Sequence, residues 1–258
     1  MEAQLLLNID KIGKFISTSE IPPEKIIELT AKINYNTYGV YTGGSRFDNE
    51  TGFAVCIFKN NEPYKDFLYK LNPTNSVFQA ELAAISVATD WALEHNQLGN
   101  MHSNSQSSIE TIKSVEPKSE FVNDIKKKIY NSKRLVGLTW VKAHAGNPGN
   151  ERADGQATLA TTMGQYLDLP TPYSYVKLKI KQFVIHEWEN YWNKHDSSSV
   201  IRVRTFMDKV DKKCLTFNKY LIYFLSGHGP FRAFLHRFHL LSSPCCSCGQ
   251  MGNANRYK

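Results

Sequence analysis

The sequence contains no apolar run near the roughly 18 residues that cross a bilayer, so neither a spanning helix nor a membrane partner is expected. Its first residues, MEAQLLLNIDKIGK, carry an acid at Glu2 and only a very short apolar stretch. They do not have the basic start and long apolar region of a secretory signal. Cysteine is scarce as well, with five in 258 residues. An odd count without a secretory signal argues against a disulfide scaffold and for a reducing compartment, nuclear or cytoplasmic. Cys56, inside the apolar run FAVCIF, reads as a buried thiol. Acidic residues are sparse in one part of the chain. Residues 172–258 carry 14 Lys and Arg against 5 Asp and Glu, whereas residues 1–171 carry 17 against 19. A basic tail attracts polyanions, or simply keeps the chain soluble. No polymerase motif is present, and the chain is too short to hold that enzyme beside the domain described below.

The remainder is ordinary globular composition, 41% hydrophobic and 21% charged. Residues 1–36 form a leader segment with a short helix expected at Pro23–Ala31, where a proline at the helix start costs little. YGVYT, TGFAVCIF and DFLYKL follow, separated by GGSRFDNE and KNNEP, and read as an antiparallel meander. Asn75 or Ser76 then caps a long helix, SVFQAELAAISVATDWALEHN. Its apolar face holds Val77, Leu82, Ile85, Ala88 and Leu93, with Gln79 and Glu94 turned outward. NSQSSIETIKSV and EFVNDIKKKIYNS read as helices, LVGLTWVKA as a strand, and AGNPGNERADGQATLA as a Gly/Pro loop entering a last helix. The order implies an α/β domain over residues 37–166. Residues 167–175, LDLPTPYSY, read as a linker, and residues 176–258 as a basic, mostly helical extension with a Cys-rich end. Within it, FVIHEWENYWNKH, the stretch around Phe217–Leu225 and FRAFLHRFHLL read as helices, with Trp188 and Trp192 packing on one helix face.

Four segments in order carry a family resemblance: YTGGSR at 41–46, NSVFQAELAAI at 75–85, HSNSQSS at 102–108, and TWVKAHAGNPGNERAD at 139–154. Together they resemble a type-1 ribonuclease H domain of non-LTR retrotransposon polyproteins. GHGPFRAFLHRFHL at 227–240 and CCSCG at 245–249 resemble the segment that follows the nuclease domain there, so the similarity runs from roughly residue 37 to 250. The resemblance implies a mixed five-stranded sheet flanked by helices. It also implies cleavage of the RNA strand of an RNA–DNA hybrid by two divalent metals, normally Mg²⁺. Such metals need several hard carboxylate ligands converging from different elements.

Two of those carboxylates are gone. Gly43 stands where the family pattern has its first Asp, and Asn104 where it has its third acid. Glu81 and Asp154 match the second and fourth acids, and His144 matches the mobile histidine that helps release product and shuttle protons. The remaining pair, Glu81 and Asp154, would hold Mg²⁺ or Mn²⁺ only weakly, and no tightly bound cofactor is expected. Asp48 and Glu50 lie near Gly43 in sequence but too far along the hairpin to stand in for it. Structural readings accompany the functional ones. Gly43–Gly44 could serve a turn or bulge, and Asn104 could cap the following helix. LGNMHS, before Asn104, is short and polar, so an irregular central strand is expected.

The family grips its substrate through phosphates and sugar hydroxyls. By that resemblance the contact candidates are Ser45, Arg46, Asn75, Gln79, Ser105, Gln106, Asn147 and Asn150. Lys126, Lys127 and Lys128, with Lys133 and Arg134 after them, form a basic cluster that serves either as a phosphate track or as a solvated helix face. Cys246 and Cys248 are possible relic zinc ligands, with Cys245, His236 and His239 as potential partners. A closed zinc site needs four ligands, and a complete one is not expected. The leading functional reading is a degenerate ribonuclease-H-like domain that binds an RNA–DNA hybrid or structured RNA without efficient cleavage. An active hybrid ribonuclease with an altered site, and a protein-interaction module acting through the C-terminal extension, remain open.

Overall fold

The computed structural model describes residues 37–114, 119–132, 135–195, 197–210, 213 and 218–257. The expected helix at Pro23–Ala31, and Lys133, Arg134, Cys214 and Phe217, lie outside the described residues. The chain divides into two units, residues 1–177 and residues 178–258.

In the first unit β1 (Tyr38–Phe47), β2 (Glu50–Lys59) and β3 (Glu62–Leu71) form the antiparallel meander. They run longer than their apolar cores suggest, because each reversal takes only two residues. Asp48 and Asn49 carry φ of 48° and 64°, and Asn60 and Asn61 carry 54° and 69°. Paired left-handed residues are the short hairpin geometry whose twist matches the strands, and Asn and Asp tolerate it. GGSRFDNE is therefore mostly strand. Gly43 and Gly44 pair with Ala54 and Phe53 in the regular ladder and form neither a turn nor a bulge.

After β3 come α1 (Val77–His95), β4 (Gly99–Ser103), α2 (Gln106–Lys113), α3 (Glu120–Asn131), β5 (Val136–Trp140) and α4 (Pro148–Met163). A two-residue β6 (Gln165–Tyr166) pairs in parallel with β3 and extends the expected five strands to six, in the order β5-β4-β1-β2-β3-β6. The polar strand β4 is regular, contrary to expectation. It pairs in parallel with β1 on one side and β5 on the other over all five residues. Its backbone bonds are satisfied on both edges, and its side chains find partners. Met101 is buried beside the Thr89 hydroxyl, and the His102 ring stacks on Tyr41 with centroids 4.8 Å apart.

Strand alternation gives the sheet two different faces. On one, Val40, Phe53, Val55 and Ile57 pack with Leu82, Ile85, Met101, Ile109 and Ile125 into the main core. Each such fully buried side chain is worth about 1.5–3 kcal/mol over exposure. α1 is buried almost all round, so Gln79 is not turned outward. It closes a capping box with Ser76 instead, the Ser76 hydroxyl accepting from the Gln79 amide while the Gln79 carboxamide accepts from the Ser76 amide. On the other face α4 lies close to the strands on small residues, with Ala153 and Ala157 packed against Ala54 and Cys56. Residues 167–171 run back over the unit: Leu167 donates to the Lys70 carbonyl, and the Pro170 carbonyl accepts from both Asn75 and Gln79.

α5 (Tyr173–Lys194) starts earlier than FVIHEWENYWNKH suggests, with the Pro172 carbonyl accepting its first backbone bonds. In the second unit follow α6 (Ser198–Arg204), α7 (Lys219–Ser226), α8 (Arg232–Arg237) and a 3₁₀ turn at Ala254–Tyr257. α8 is shorter than FRAFLHRFHLL suggests, since His239 takes a left-handed φ of 57° just beyond it. Ala254 is the only described hydrophobic residue of this unit that is buried. Polar links do much of the holding: Arg202 donates to the Phe224 carbonyl and to Asn255, and Arg204 to the carbonyls of Trp192 and His195.

The close α4–sheet approach has a direct test. A Cβ at Gly52 would stand 2.7 Å from the Thr161 nitrogen and 2.8 Å from the Ala160 carbonyl carbon. Both are backbone, so neither can swing aside. Gly52→Ala should cost about 1–3 kcal/mol, read as a lowered urea midpoint with the slope unchanged.

Candidate nucleic-acid site

Three elements bring the sequence-predicted centre together. α1 is buried near its start and carries Glu81, 6% exposed, to the edge of β1. The Gly44 amide donates to Glu81 Oε1 at 2.8 Å, while Glu81 Oε2 is buried without a hydrogen-bond partner. Burial pushes the Glu81 carboxyl up to about 8, and the negative charge of Asp154 adds to the rise, against the lowering by the Gly44 amide. Near neutral pH this side chain favours its neutral form.

Asp154 sits on α4 opposite Gly43. Both of its oxygens are taken by amides: Asn104 Nδ2 donates to Oδ1 at 3.0 Å, and Asn150 Nδ2 to Oδ2 at 3.1 Å. Burial raises the Asp154 carboxyl, and the Asn104 bond and the facing His144 oppose that rise. Asn104 is therefore not the cap of α2; that position falls to Ser105. Asn104 follows β4 directly, and its own carbonyl accepts from the Trp140 indole N–H at 3.2 Å. Asn104 thus presents a donor to Asp154, where a carboxylate at the same place would repel it.

Gly43 packs tightly. A Cβ there would lie 3.1 Å from Asp154 Oδ1 and 3.2 Å from the Ala153 carbonyl group. On the opposite face a Cβ at Gly44 would meet the Glu81 amide at 3.0 Å. The Gly pair thus lets β1 lie close to α4 on one face and α1 on the other, with only backbone facing the two acids.

His144 lies in the loop before α4 with a left-handed φ of 51° and a well-exposed ring. Its Nδ1 is 3.9 Å from Glu151 Oε2. His144, Glu151 and Asp154 each offer a ligand atom within 4.8 Å of the others. Glu151 was missed at the level of sequence, although its place three residues before Asp154 on a helix puts the two on one side.

The contact candidates separate by placement. Arg46 is exposed and fastens two loops, donating to the carbonyls of Pro73, Asn49 and Asn75. Ser45 meets the Thr158 hydroxyl at 3.1 Å, Ser105 meets Ser108 at 2.8 Å, and exposed Gln106 donates to Glu110. Asn147 caps α4 through the amides of Gly149 and Asn150. Asn75, Gln79 and Asn150 are buried and serve as internal hydrogen-bonding groups. Among the three lysines, Lys126 is buried with its ammonium on the Ser114 carbonyl, and Lys128 pairs with Asp90 at 2.6 Å. Lys127 is the outward one, its side chain 70% exposed. Asp48 stays in the turn and Glu50 pairs with Lys70 at 3.2 Å, so neither replaces the missing acids. In the tail unit, Cys245, Cys246 and Cys248 lie in a tight turn closed by the Cys246 amide donating to the Gln250 carbonyl.

A mixed sheet with a helix on each face, and acidic side chains meeting beside its first strand, defines the class of ribonuclease-H-like α/β domains. Residues 35–162 match the RNase H family, so the chain contains an RNase-H-like domain. No curated protein matches the chain. Among solved structures it is similar to the native protease–reverse transcriptase of prototype foamy virus, at 16% identity and TM-score 0.45, covering 52% of this chain and 22% of that one. Foamy viral protease–reverse transcriptase in complex with dsDNA gives 15% identity and TM-score 0.43, covering 51% of this chain and 97% of the other. The same kind of protein in complex with RNA/DNA hybrid gives 16% and 0.45, covering 57% and 23%. The chain thus spans less than a quarter of the length of two of these relatives.

The raised Glu81 carboxyl makes a signed prediction. In the native state it holds its proton up to about pH 8, whereas the unfolded chain releases it near the ordinary glutamate value of 4.5. Its contribution is fully present below the unfolded value and is lost as pH rises through the folded one. Without divalent metal, Glu81→Gln should therefore gain stability relative to the parent between pH 5 and 8. The gap should widen by at most about 1.4 kcal/mol per pH unit and then level off. Chemical denaturation across that range reads it; parallel curves would place Glu81 in its charged form throughout.

Proposed function

We propose that the RNase-H-like domain binds nucleic acid, an RNA–DNA hybrid or structured RNA, without cutting it efficiently. One observation carries this reading: the hydrogen bond from Asn104 Nδ2 to Asp154 Oδ1 at 3.0 Å. A donor occupies the place of an acid, and it engages the carboxylate oxygen that a cation would need. Gly43 contributes no ligand side chain, and Glu81 favours its neutral form. Two divalent cations bring four positive charges into a small volume. Asp154 is already held by two amides, residue 43 offers no side chain, and His144 and Glu151 stand at the exposed edge, so the set lacks the converging carboxylates that a pair of divalent metals needs.

Polar side chains, exposed at Arg46, Gln106 and His144 and half-buried at Ser45, supply the contact groups of this reading. Arg46, Ser45, Gln106 and the His144 loop are available for phosphates and sugar hydroxyls, the groups through which a helix of A-like shape is read. Lys127 adds an exposed ammonium on α3, 3.6 Å from the equally outward Asp124 carboxylate. The segments at 227–240 and 245–249 support a further reading, that the chain derives from a non-LTR retrotransposon polyprotein.

Titrating a labelled RNA–DNA hybrid into the full chain at low and high salt tests the reading. Binding at micromolar protein and low salt, weakening steeply with salt, is expected. Arg46→Ala and Lys127→Glu should each weaken it several-fold and flatten the salt slope. Lys126→Ala should mainly lower thermal stability, because that ammonium is buried. Absence of binding at low salt would overturn the proposal.

A further inference from the structure

The tail unit holds a pocket of its own, with a volume of about 340 Å³. Its walls include Arg202, Ser226, His228, Phe231, Phe234 and Arg237, and among the described residues no carboxylate lines it. That volume is at the small-ligand end of the usual range for binding sites.

The two arginines have different standing. Arg202 is fixed: Nε and Nη2 donate to the Phe224 carbonyl at 3.2 and 3.0 Å, and Nη1 donates to Asn255 Oδ1. Its partners are neutral, so its charge is not offset. Gly227 lies against its side chain in the left-handed conformation that ends α7. Arg237 is exposed, and among the described residues nothing engages it in an ion pair or hydrogen bond. Beside the cations lies a row of rings. His228 and Phe234 have centroids 5.1 Å apart at a 37° tilt, and Phe234 continues to Phe238 at 5.0 Å. Two cations without a carboxylate select an anion, and flat apolar walls beside them select a planar ring.

We propose that this pocket binds a nucleotide unit, its phosphate on Arg237 and Arg202 and its base against His228 and Phe234. The unit is either a free mononucleotide or one residue of a single-stranded nucleic acid, because a paired base has both faces stacked within its helix. The site is separate from the RNase-H-like centre and stands whether or not that centre binds a hybrid.

The test uses the full chain with uridine 5′-monophosphate, a labelled oligouridine and inorganic phosphate as probes. Arg237→Glu should weaken oligouridine binding about tenfold, the loss of one phosphate contact plus a repulsion, while changing RNA–DNA hybrid binding far less. In the unmodified protein, modification of Arg237 by phenylglyoxal, followed by peptide mass spectrometry, should be slowed by the occupying ligand. Protection by oligouridine alone identifies a strand; equal protection by the mononucleotide identifies a free nucleotide. Unchanged affinity of the variant for both oligouridine and uridine 5′-monophosphate, no protection by either nucleotide probe, or equal protection by inorganic phosphate would each overturn the proposal.

Discussion

The centre of this protein depends on how closely α4 lies on β1 and β2. Ala153 and Ala157 on the helix, and Gly43, Gly52 and Ala54 on the strands, leave almost no side-chain volume between them. That closeness brings Asp154 to the position a side chain at residue 43 would face, and it is incompatible with an easy return of one. A Cβ at residue 43 would need the Ala153 carbonyl to give by a few tenths of an ångström. A glycine at residue 43 is thus built into the packing of the helix that carries Asp154.

The electrostatics follow from the same geometry. Glu81 is buried and Asp154 half-buried, and each carboxylate is held in its own way. Glu81 is raised by burial until its neutral form is favoured. Asp154 stays partly exposed and is held by two neutral amides, Asn104 and Asn150. Amide donors lower the cost of one carboxylate in place of a metal. The Asn104 carbonyl accepts from the Trp140 indole, so Trp140, Asn104, Asp154 and Asn150 form a connected hydrogen-bonded arrangement beside Gly43.

Much of this was legible in sequence. The order of segments set the layers, and the four motifs placed Glu81, Asp154, His144, Gly43 and Asn104 around one point. What the sequence hid had physical causes. The β4 residues GNMHS are polar, but a parallel strand hydrogen-bonded on both edges needs little apolar character when its side chains find partners such as Thr89 and Tyr41. The two glycines of β1 looked like a turn because their reason for being small lies on α1 and α4, far away in the chain. The inward use of Gln79 and Lys126 was hidden likewise, since polarity alone does not reveal a capping box or a buried carbonyl awaiting a donor.

The central claim is that the altered centre no longer cuts. It is tested most directly by incubating a labelled RNA–DNA hybrid with Mg²⁺ or Mn²⁺ and either the unmodified chain or Gly43→Asp combined with Asn104→Asp. The account predicts no metal-dependent product from the unmodified chain. It predicts gain of cutting only in the double variant, and only as far as α4 can yield to the new Cβ, since a misplacement near 1 Å costs about 100-fold in rate. Metal-dependent cutting by the unmodified chain, abolished by Glu81→Gln, would contradict it.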